Sequence, residues 1–544
     1  RGMQVNIMTK TPFRLKLVAL AIASSASSAY AFNFETGNPD LRISLDNTIK
    51  YSTSFRVKDA SAALTDGDSN KNQNDGDNNF DKGMVSNRLD LLTQFDASYK
   101  DRFGVRVTGA AWYDDVYHGS TDNDNVDGTS NHTPAKEFSD KAEEVMGGDA
   151  EILDAFVYAR FPFVDGMEGT IRVGRHTLLW GESLFYGSNG IAGGQGPVDV
   201  VKLTSVPNSQ FKETLRPTGK VSVDVPLSES LSLGAYVGYE WEKSRLLPAG
   251  AFLSAGDALE GERINTFGPF AFINEHDMDA SDSGQYGIQL RYSDFNTETD
   301  YGLYATRYHA AGPSNNYFMP TGPGQGTYRW VFAENIEAYG FSVAKTVGRW
   351  SLAGEVSYRR NTPLASKGQT FDVPNQYDNN KNPGYAVGET AHAQFSWIAN
   401  VPSFIAQEAS FLGEIAWNTR LKTTENADML NTNADKSAIG MRLVYRPTYR
   451  QVFDGLDLTP SIGISRTWGK SSAIGPAFGV DGGGDINIGV NALYLNKWNA
   501  SLNFVSYYGP KGAFLDDEGS PPKAQYKQAL KDRNFISASI STTF

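Results

Sequence analysis

The chain has 544 residues, no Cys, 54 Gly, 12% aromatic residues, a formal charge of −13 and a mean hydropathy of −0.40. The lack of Cys excludes a disulfide framework and any thiolate metal site, and the acidic balance excludes the basic footprint of a nucleic-acid-binding protein. Many aromatics and glycines at low mean hydropathy fit many strands joined by polar loops, not a helical enzyme.

Residues 1–31 read as a cleaved signal peptide, with Met8 or Met3 as the start. Lys10, Arg14 and Lys16 make the positive region, Leu17 to Ala23 the apolar stretch, and Ala29-Tyr30-Ala31 the A-x-A cleavage site. A membrane-spanning helix needs about 20 apolar residues, and neither this run nor any later one approaches that. Cleavage would remove Arg1, Lys10, Arg14 and Lys16 and no acid, taking the formal charge from −13 to −17. If the mature chain spans a membrane, it must do so with strands.

Alternation with period two runs through residues 32–544. Between 89 and 99 the odd positions read Leu89, Leu91, Thr93, Phe95, Ala97 and Tyr99, against Asp90, Leu92, Gln94, Asp96 and Ser98. Trp350, Leu352, Gly354, Val356 and Tyr358, and later Ile439, Met441, Leu443 and Tyr445, form similar faces. Successive strand side chains point to opposite faces, so each segment has a greasy side and a more polar one. A soluble sandwich alternates too. Three features favour the membrane: aromatics at the ends of the apolar faces (Tyr99, Trp350, Tyr358, Tyr445, Trp498), segments of about ten residues, and the sorting of connections.

About eighteen candidate strands follow: 41–57, 87–100, 103–117, 151–162, 168–175, 217–226, 231–241, 284–296, 300–310, 336–347, 349–360, 391–399, 409–420, 436–446, 456–468, 484–496, 498–508 and 534–544. Long polar loops follow the odd-numbered strands and short turns the even-numbered ones. The predicted fold is an all-β, antiparallel transmembrane barrel of about 16 to 18 strands, best count 18, in one domain over residues 32–544. The last strand puts Ile536, Ala538, Ile540, Thr542 and Phe544 on one face. That ending resembles the sorting signal read by the barrel-assembly machinery, with the first strand as its partner in closure. Lipid and lipopolysaccharide of a Gram-negative outer membrane are the expected surroundings.

The inferred lumen face carries Arg88, Asp90, Asp96, Arg106, Asp114, Asp154, Arg160, Arg172, Arg291, Glu355, Arg359, Glu414, Arg420, Arg442 and Arg446. Mixed charges across a pore can select solutes by charge and dipole, or simply pair and brace the wall. The connection 176–216 is less polar than the others, with Leu178, Leu179, Trp180, Leu184, Phe185, Tyr186, Ile191 and Val198 among glycines. In water such a loop is costly. It is expected to fold into the lumen as a plug or constriction, with Trp180 and Phe185 buried and Glu182, Lys212 and Glu213 as anchors. A cap or an oligomer contact is the alternative.

The stretch Asp66 to Asp77 is similar to a calcium loop, but Lys71 stands where Gly is needed and Asp77 replaces the bidentate Glu. It is expected to be a solvated surface loop without metal. There is no G-x-S-x-G elbow and no H-E-x-x-H. Asp114-Asp115 and His276-Asp277 are the remaining enzyme-like pairs, so neither catalysis nor a cofactor is expected.

Ile152-Leu153-Asp154-Ala155-Phe156-Val157-Tyr158, Ile171-Arg172-Val173-Gly174-Arg175-His176 and Leu179-Trp180-Gly181-Glu182-Ser183-Leu184-Phe185 resemble a proteobacterial outer-membrane family catalogued as domain of unknown function 1302. Pro197-Val198-Asp199-Val200, Phe211-Lys212-Glu213, Phe32-Asn33-Phe34-Glu35 and Phe80-Asp81-Lys82-Gly83 extend the resemblance over the mature chain. The family has no established activity. Its members tend to be encoded beside a periplasmic lipoprotein-like family and transporters of the resistance-nodulation-division type. The resemblance therefore implies transport of a hydrophobic or amphipathic small molecule, with a periplasmic lipoprotein-like partner and an inner-membrane transporter. A general diffusion porin with mixed charge selectivity, and more remotely a structural or adhesive barrel, are the other readings.

Overall fold

The computed structural model describes residues 32–544 except 35, 126–129, 131–134, 210, 374, 404 and 517–520; the side chains of 32, 33, 211 and 212 are also outside the description. The signal peptide expected over residues 1–31 lies wholly outside the described residues.

The barrel strands are β1 (Leu41–Arg56), β2 (Gly83–Tyr99), β3 (Phe103–Asp114), β4 (Gly148–Val164), β5 (Met167–His176), β6 (Thr218–Pro226), β7 (Leu231–Gly238), β8 (Tyr286–Asp294) and β9 (Thr299–Tyr308). They continue as β10 (Ile336–Val347), β11 (Trp350–Pro363), β12 (Val387–Val401), β13 (Glu408–Glu425), β14 (Ser437–Phe453), β15 (Leu456–Trp468), β16 (Gly484–Tyr494), β17 (Trp498–Tyr508) and β18 (Phe535–Thr543). Each pairs antiparallel with its neighbour in sequence, and β18 returns to β1 from Thr48↔Thr543 to Arg56↔Phe535. The barrel is closed, with the predicted partner in closure.

β18 is shorter than β1 and leaves part of that strand's edge uncovered. Phe32–Phe34 pairs with Ile43–Leu45 just beyond, and Phe544 exchanges backbone bonds of 2.7 and 2.9 Å with Asn47 between them. An open edge in a membrane wall would leave polar groups without partners.

Short turns such as 100–102 and 165–166 gather at one end, and long loops such as 57–82, 177–217 and 239–285 at the other. Leu91, Ile152, Val157, Leu303, Phe341, Phe395, Ile415, Ile488 and Leu502 are exposed on the outside. Ser52, Arg88, Asp90, Glu355, His392 and Glu414, on the opposite face, are buried. An apolar belt around a closed barrel whose backbone bonds are internally satisfied has lipid as its solvent. The protein is an outer-membrane barrel. No helix among the described residues is long and apolar enough to cross a membrane.

At the long-loop end, Arg263–Asn265, Ala271–Asn274, Asn315–Gly322, Gln325–Val331 and Thr370–Phe371 form a separate five-stranded sheet around Ile264, Phe272, Phe318 and Tyr328. Beside it, Phe80 and Phe252 pack with Tyr117 and Phe535.

Two expectations need correction. The stretch 66–77 is a solvated loop only in its first part: Asp66, Gly67, Asp68 and Ser69 are exposed, whereas Asn74, Asp75 and Asp77 are all buried. Asp77 is drawn in by Arg56 at 2.7 Å and Arg533 at 3.2 Å, and Asp257 accepts from Asn74 N at 2.9 Å and Asp75 N at 3.2 Å. No group of metal-ligating residues occurs among the described residues. Strand ends also differ: β12 starts at Val387 and β14 runs on to Phe453. Register shifts at Val387/Gly388, Glu389/Thr390 and Tyr449/Phe453 break the two-residue period on which the boundaries were read.

Candidate functional site

The loop between β5 and β6 leaves the wall after His176 and rejoins it at Thr218. Its first half runs along the inner faces of β7 to β14. Trp180 is buried, with its ring 5.2 Å from Tyr236 and 6.5 Å from Tyr304. Glu182 pairs with Arg291 of β8 at 3.5 Å, while its N–H donates to Glu355 of β11 at 2.8 Å. The other Glu355 oxygen accepts from Ile191 N at 2.7 Å. Arg359 donates to the carbonyls of Ser188 and Gly190, both at 2.8 Å. Glu414 of β13 accepts from the backbone of Leu184 at 3.2 Å, of Phe185, and of Tyr186 at 2.8 Å.

Two buried wall carboxylates thus hold the loop by its main chain. An ionised acceptor bound by several N–H donors makes charge-assisted bonds, roughly twice as strong as neutral ones. Asn189, fully buried, sits at the bend and meets His392 and Asn418, each at 3.2 Å. Ile191 fills the space over Gly340, where an added Cβ would lie 2.6 Å from its Cγ1.

The second half crosses to β1–β4. Asp199 caps the helical turn Val200–Thr204 by accepting from Lys202 N at 2.9 Å, and binds Arg245 at 2.8 Å. Arg245 and Arg216 both reach Glu151, at 2.7 and 2.9 Å. The Trp112 ring of β3 has three cations over it: Arg245 at 4.7 Å, Arg88 at 5.2 Å and Lys202 at 5.6 Å. Glu213, buried, lies 3.8 Å from Lys50 of β1. A cavity of about 100 Å³ remains there between Lys50, Asp90, Ser209, Glu213, Asn499 and Ser541.

The other wall candidates mostly find local partners. Arg88 binds Asp90 at 2.8 Å, Arg106 binds Asp96 at 2.6 Å, and Arg442 binds Asp485 at 3.1 Å with Phe185 of the loop 5.7 Å away. Asp114 accepts from Ser86 at 2.5 Å and Asn87 N at 2.9 Å, and Asp154 accepts from Thr108 at 3.4 Å. Arg420 donates to Thr423 at 3.1 Å and Ser472 at 3.4 Å. Arg160, Arg172 and Arg446 make no ion pair among the described residues. The Lys212 side chain lies outside the described residues. At the chain end, Ile540 is exposed on the lipid side, whereas Thr542 is buried in the pairing with Trp498. Of the enzyme-like pairs, Asp277 is taken by Lys243 at 2.7 Å, far in sequence from Asp114 and its serine.

Sequence reasoning missed the cations on Trp112 and the Asn189 contacts. The parity of β3 places Trp112 with Asp114 on the inner face, so the first was within reach. Nothing local marks Asn189, whose partners lie more than two hundred residues away.

No curated protein matches the chain. Among solved structures it is similar to OccAB4 of Acinetobacter baumannii, at 10% identity over 92% of this chain and 98% of that one, TM-score 0.42. It is also similar to the outer membrane channel DcaP of Acinetobacter baumannii (10%, 94% and 99%, TM-score 0.38) and to OpdK of Pseudomonas aeruginosa with vanillate (12%, 92% and 98%, TM-score 0.40). The model of the family described as "Protein of unknown function (DUF1302)" matches residues 13–544, and the chain belongs to that family.

Proposed function

We propose that this barrel is an outer-membrane channel, narrowed by the loop 177–217, for a hydrophobic or amphipathic small molecule. The observation that carries the reading is that one loop is fastened to both sides of the wall. Glu355, Arg359 and Glu414 hold its first half, and Lys50 and Glu151, helped by Arg245 of the 239–285 loop, its second. A side chain network of this extent fixes a loop across a lumen, and a lumen so crossed admits solutes by shape and chemistry and not by size alone. Leu179 and Leu203 of the loop stay exposed, offering contact to an apolar body. Arg160, Arg172 and Arg446, which make no ion pair among the described residues, supply guanidinium groups for an acidic one. Hand-over to a lipoprotein-like periplasmic partner belongs to the same proposal.

Planar-bilayer recording of the full chain tests it against an open diffusion porin. Currents through the intact barrel should be small, and deletion of residues 178–198 should raise them strongly. Large steady currents from the intact chain, or no change on deletion, would replace the constricted channel with a porin. Impaired growth or efflux on steroid-like or aromatic compounds in cells lacking the chain tests the cargo class.

A further inference from the structure

The seam between β14 and β15 is interrupted at a facing pair of prolines, five residues along β14 from Arg442, where the inward loop meets the wall. Between β14 and β15 the ladder runs from Ile439↔Trp468 to Tyr445↔Ile462, and resumes only at Tyr449↔Leu458. The register sets Pro447 opposite Pro460. The pairs on either side in this ladder show that these two residues occupy a position where partners exchange both N–H···O bonds. Proline has no N–H, so both bonds are missing. The carbonyl oxygens of Pro447 and Pro460 lack their ladder donors in the wall of a membrane barrel, where such groups are costly.

The outer partners are intact: Ala409 pairs with Pro447, and Pro460 with Val490. The lost pairing at Pro447 and Pro460 therefore belongs to the β14–β15 seam, over three residues of each strand, with the flanking pairs roughly 13 Å apart. The other prolines in barrel strands, Pro162, Pro226 and Pro363, sit within two residues of a strand end. Across the gap the side chains of Thr448 and Thr459 meet at 3.2 Å on the inner face, and just below it Arg450 pairs with Asp457 at 2.8 Å.

The inner surface beside the gap suits a particular cargo. Arg446 precedes Pro447, faces the lumen by the parity of Arg442, and makes no ion pair among the described residues. Two pleat repeats toward the loops, Arg442 lies beside Phe185, and one repeat further Tyr186 covers Gly440, where an added Cβ would fall 2.8 Å from the ring. On the outer side Tyr445, Tyr449, Leu458 and Ile462 present only apolar or aromatic groups to lipid, and Pro447 lies buried among its neighbours.

We propose that the β14–β15 seam at Pro447 and Pro460 is a lateral portal through which the apolar body of an anionic amphipath passes between lumen and bilayer, with Arg446 holding its acidic group. This rests on the channel reading above and adds a route to it. Thr448 and Thr459 act as the latch.

The chain has no Cys, so a T448C/T459C pair can be bridged specifically; facing residues of a non-hydrogen-bonded antiparallel pair approach closely enough for a disulfide. The probe is anilinonaphthalene sulfonate, an anionic aromatic dye that fluoresces on entering a bilayer, added to cells with an intact lipopolysaccharide barrier. Oxidised T448C/T459C should lose dye entry down to the level of cells without the barrel, and reductant should restore it. Small-ion conductance through the lumen should not change. S501C/S539C, bridging two serines 2.7 Å apart across the β17–β18 seam, should leave dye entry unaltered. P447V/P460V, which returns both donors to the ladder, should lose dye entry without any disulfide. Dye entry at the wild-type rate in oxidised T448C/T459C or in P447V/P460V overturns the portal while leaving the channel standing. A wild-type barrel no faster than cells lacking it overturns the channel reading itself.

Discussion

The wall from β11 to β13 and the closure seam between β18 and β1 hold their loops by different physics. On the first, Glu355 and Glu414 take main-chain N–H groups of the inward loop, with no counter-charge among those donors. At the second, Arg56 and Arg533 are buried against Asp77, with Asp532 4.0 Å from Arg56 and Asp257 bonded to the backbone of the same loop. A carboxylate that grips backbone fixes a path whatever side chains the loop carries. A buried ion cluster fixes particular residues, depends on every member being present, and responds to protonation.

The contrast predicts unequal effects. Arg56→Ala should be the most damaging, because it leaves Asp77 buried with a weakened set of partners. Breaking such a pair costs about 3–5 kcal/mol. The heat-resistant folded band on gels should convert to the unfolded form at a clearly lower temperature, and an unchanged transition would remove the cluster from the account of barrel closure.

Glu414→Ala comes next. It strips the acceptor from Leu184, Phe185 and Tyr186, a loss of about 1–3 kcal/mol once water partly replaces it. The effect should fall on the loop and not on the barrel: noisier, larger single-channel currents with an almost unshifted unfolding temperature. Glu414→Gln, which keeps an acceptor, should lie between the two.

The smallest effect concerns pH. Burial pushes the Asp257 carboxyl up from 3.8 to about 6. The folded loops therefore bind its proton more tightly than the unfolded chain does. The resulting stability is fully present below the unfolded value and is lost as pH rises through about 6. Proteolytic nicking of the 57–82 and 239–285 loops should be slower near pH 5 than near neutrality, by a difference that Asp257→Asn flattens. The Glu414 contact should show no such dependence on Asp257; a loop current that follows the Asp257→Asn substitution would join the two regions into one unit.

Much of the barrel was legible in the chain. Alternation and loop sorting gave the strand count, the order and the closing partner, since period-two patterning is imposed locally by the pleat and by a lipid exterior. Misplaced boundaries fall at bulges, where β12 and β14 depart from the period. The site was less legible. Parity put Glu355, Arg359 and Glu414 on the inner face, but their partners are backbone groups of Glu182, Ile191 and Leu184–Tyr186, which no side-chain pattern announces. Residues 66–77 carry the composition of a solvated loop, yet residues 73–77 are buried, because two arginines outside the loop's own sequence neutralise Asp77.

By itself, then, the sequence determined the wall: which residues face lipid, which face inward, and where the chain turns, all consequences of alternation over a few residues. The tertiary structure alone decided how the inward loop is fastened and where the wall's ladder loses pairs. The fastening of the inward loop and the meeting of Pro447 with Pro460 both depend on register between distant or separately read segments, and register is set by the closed barrel as a whole.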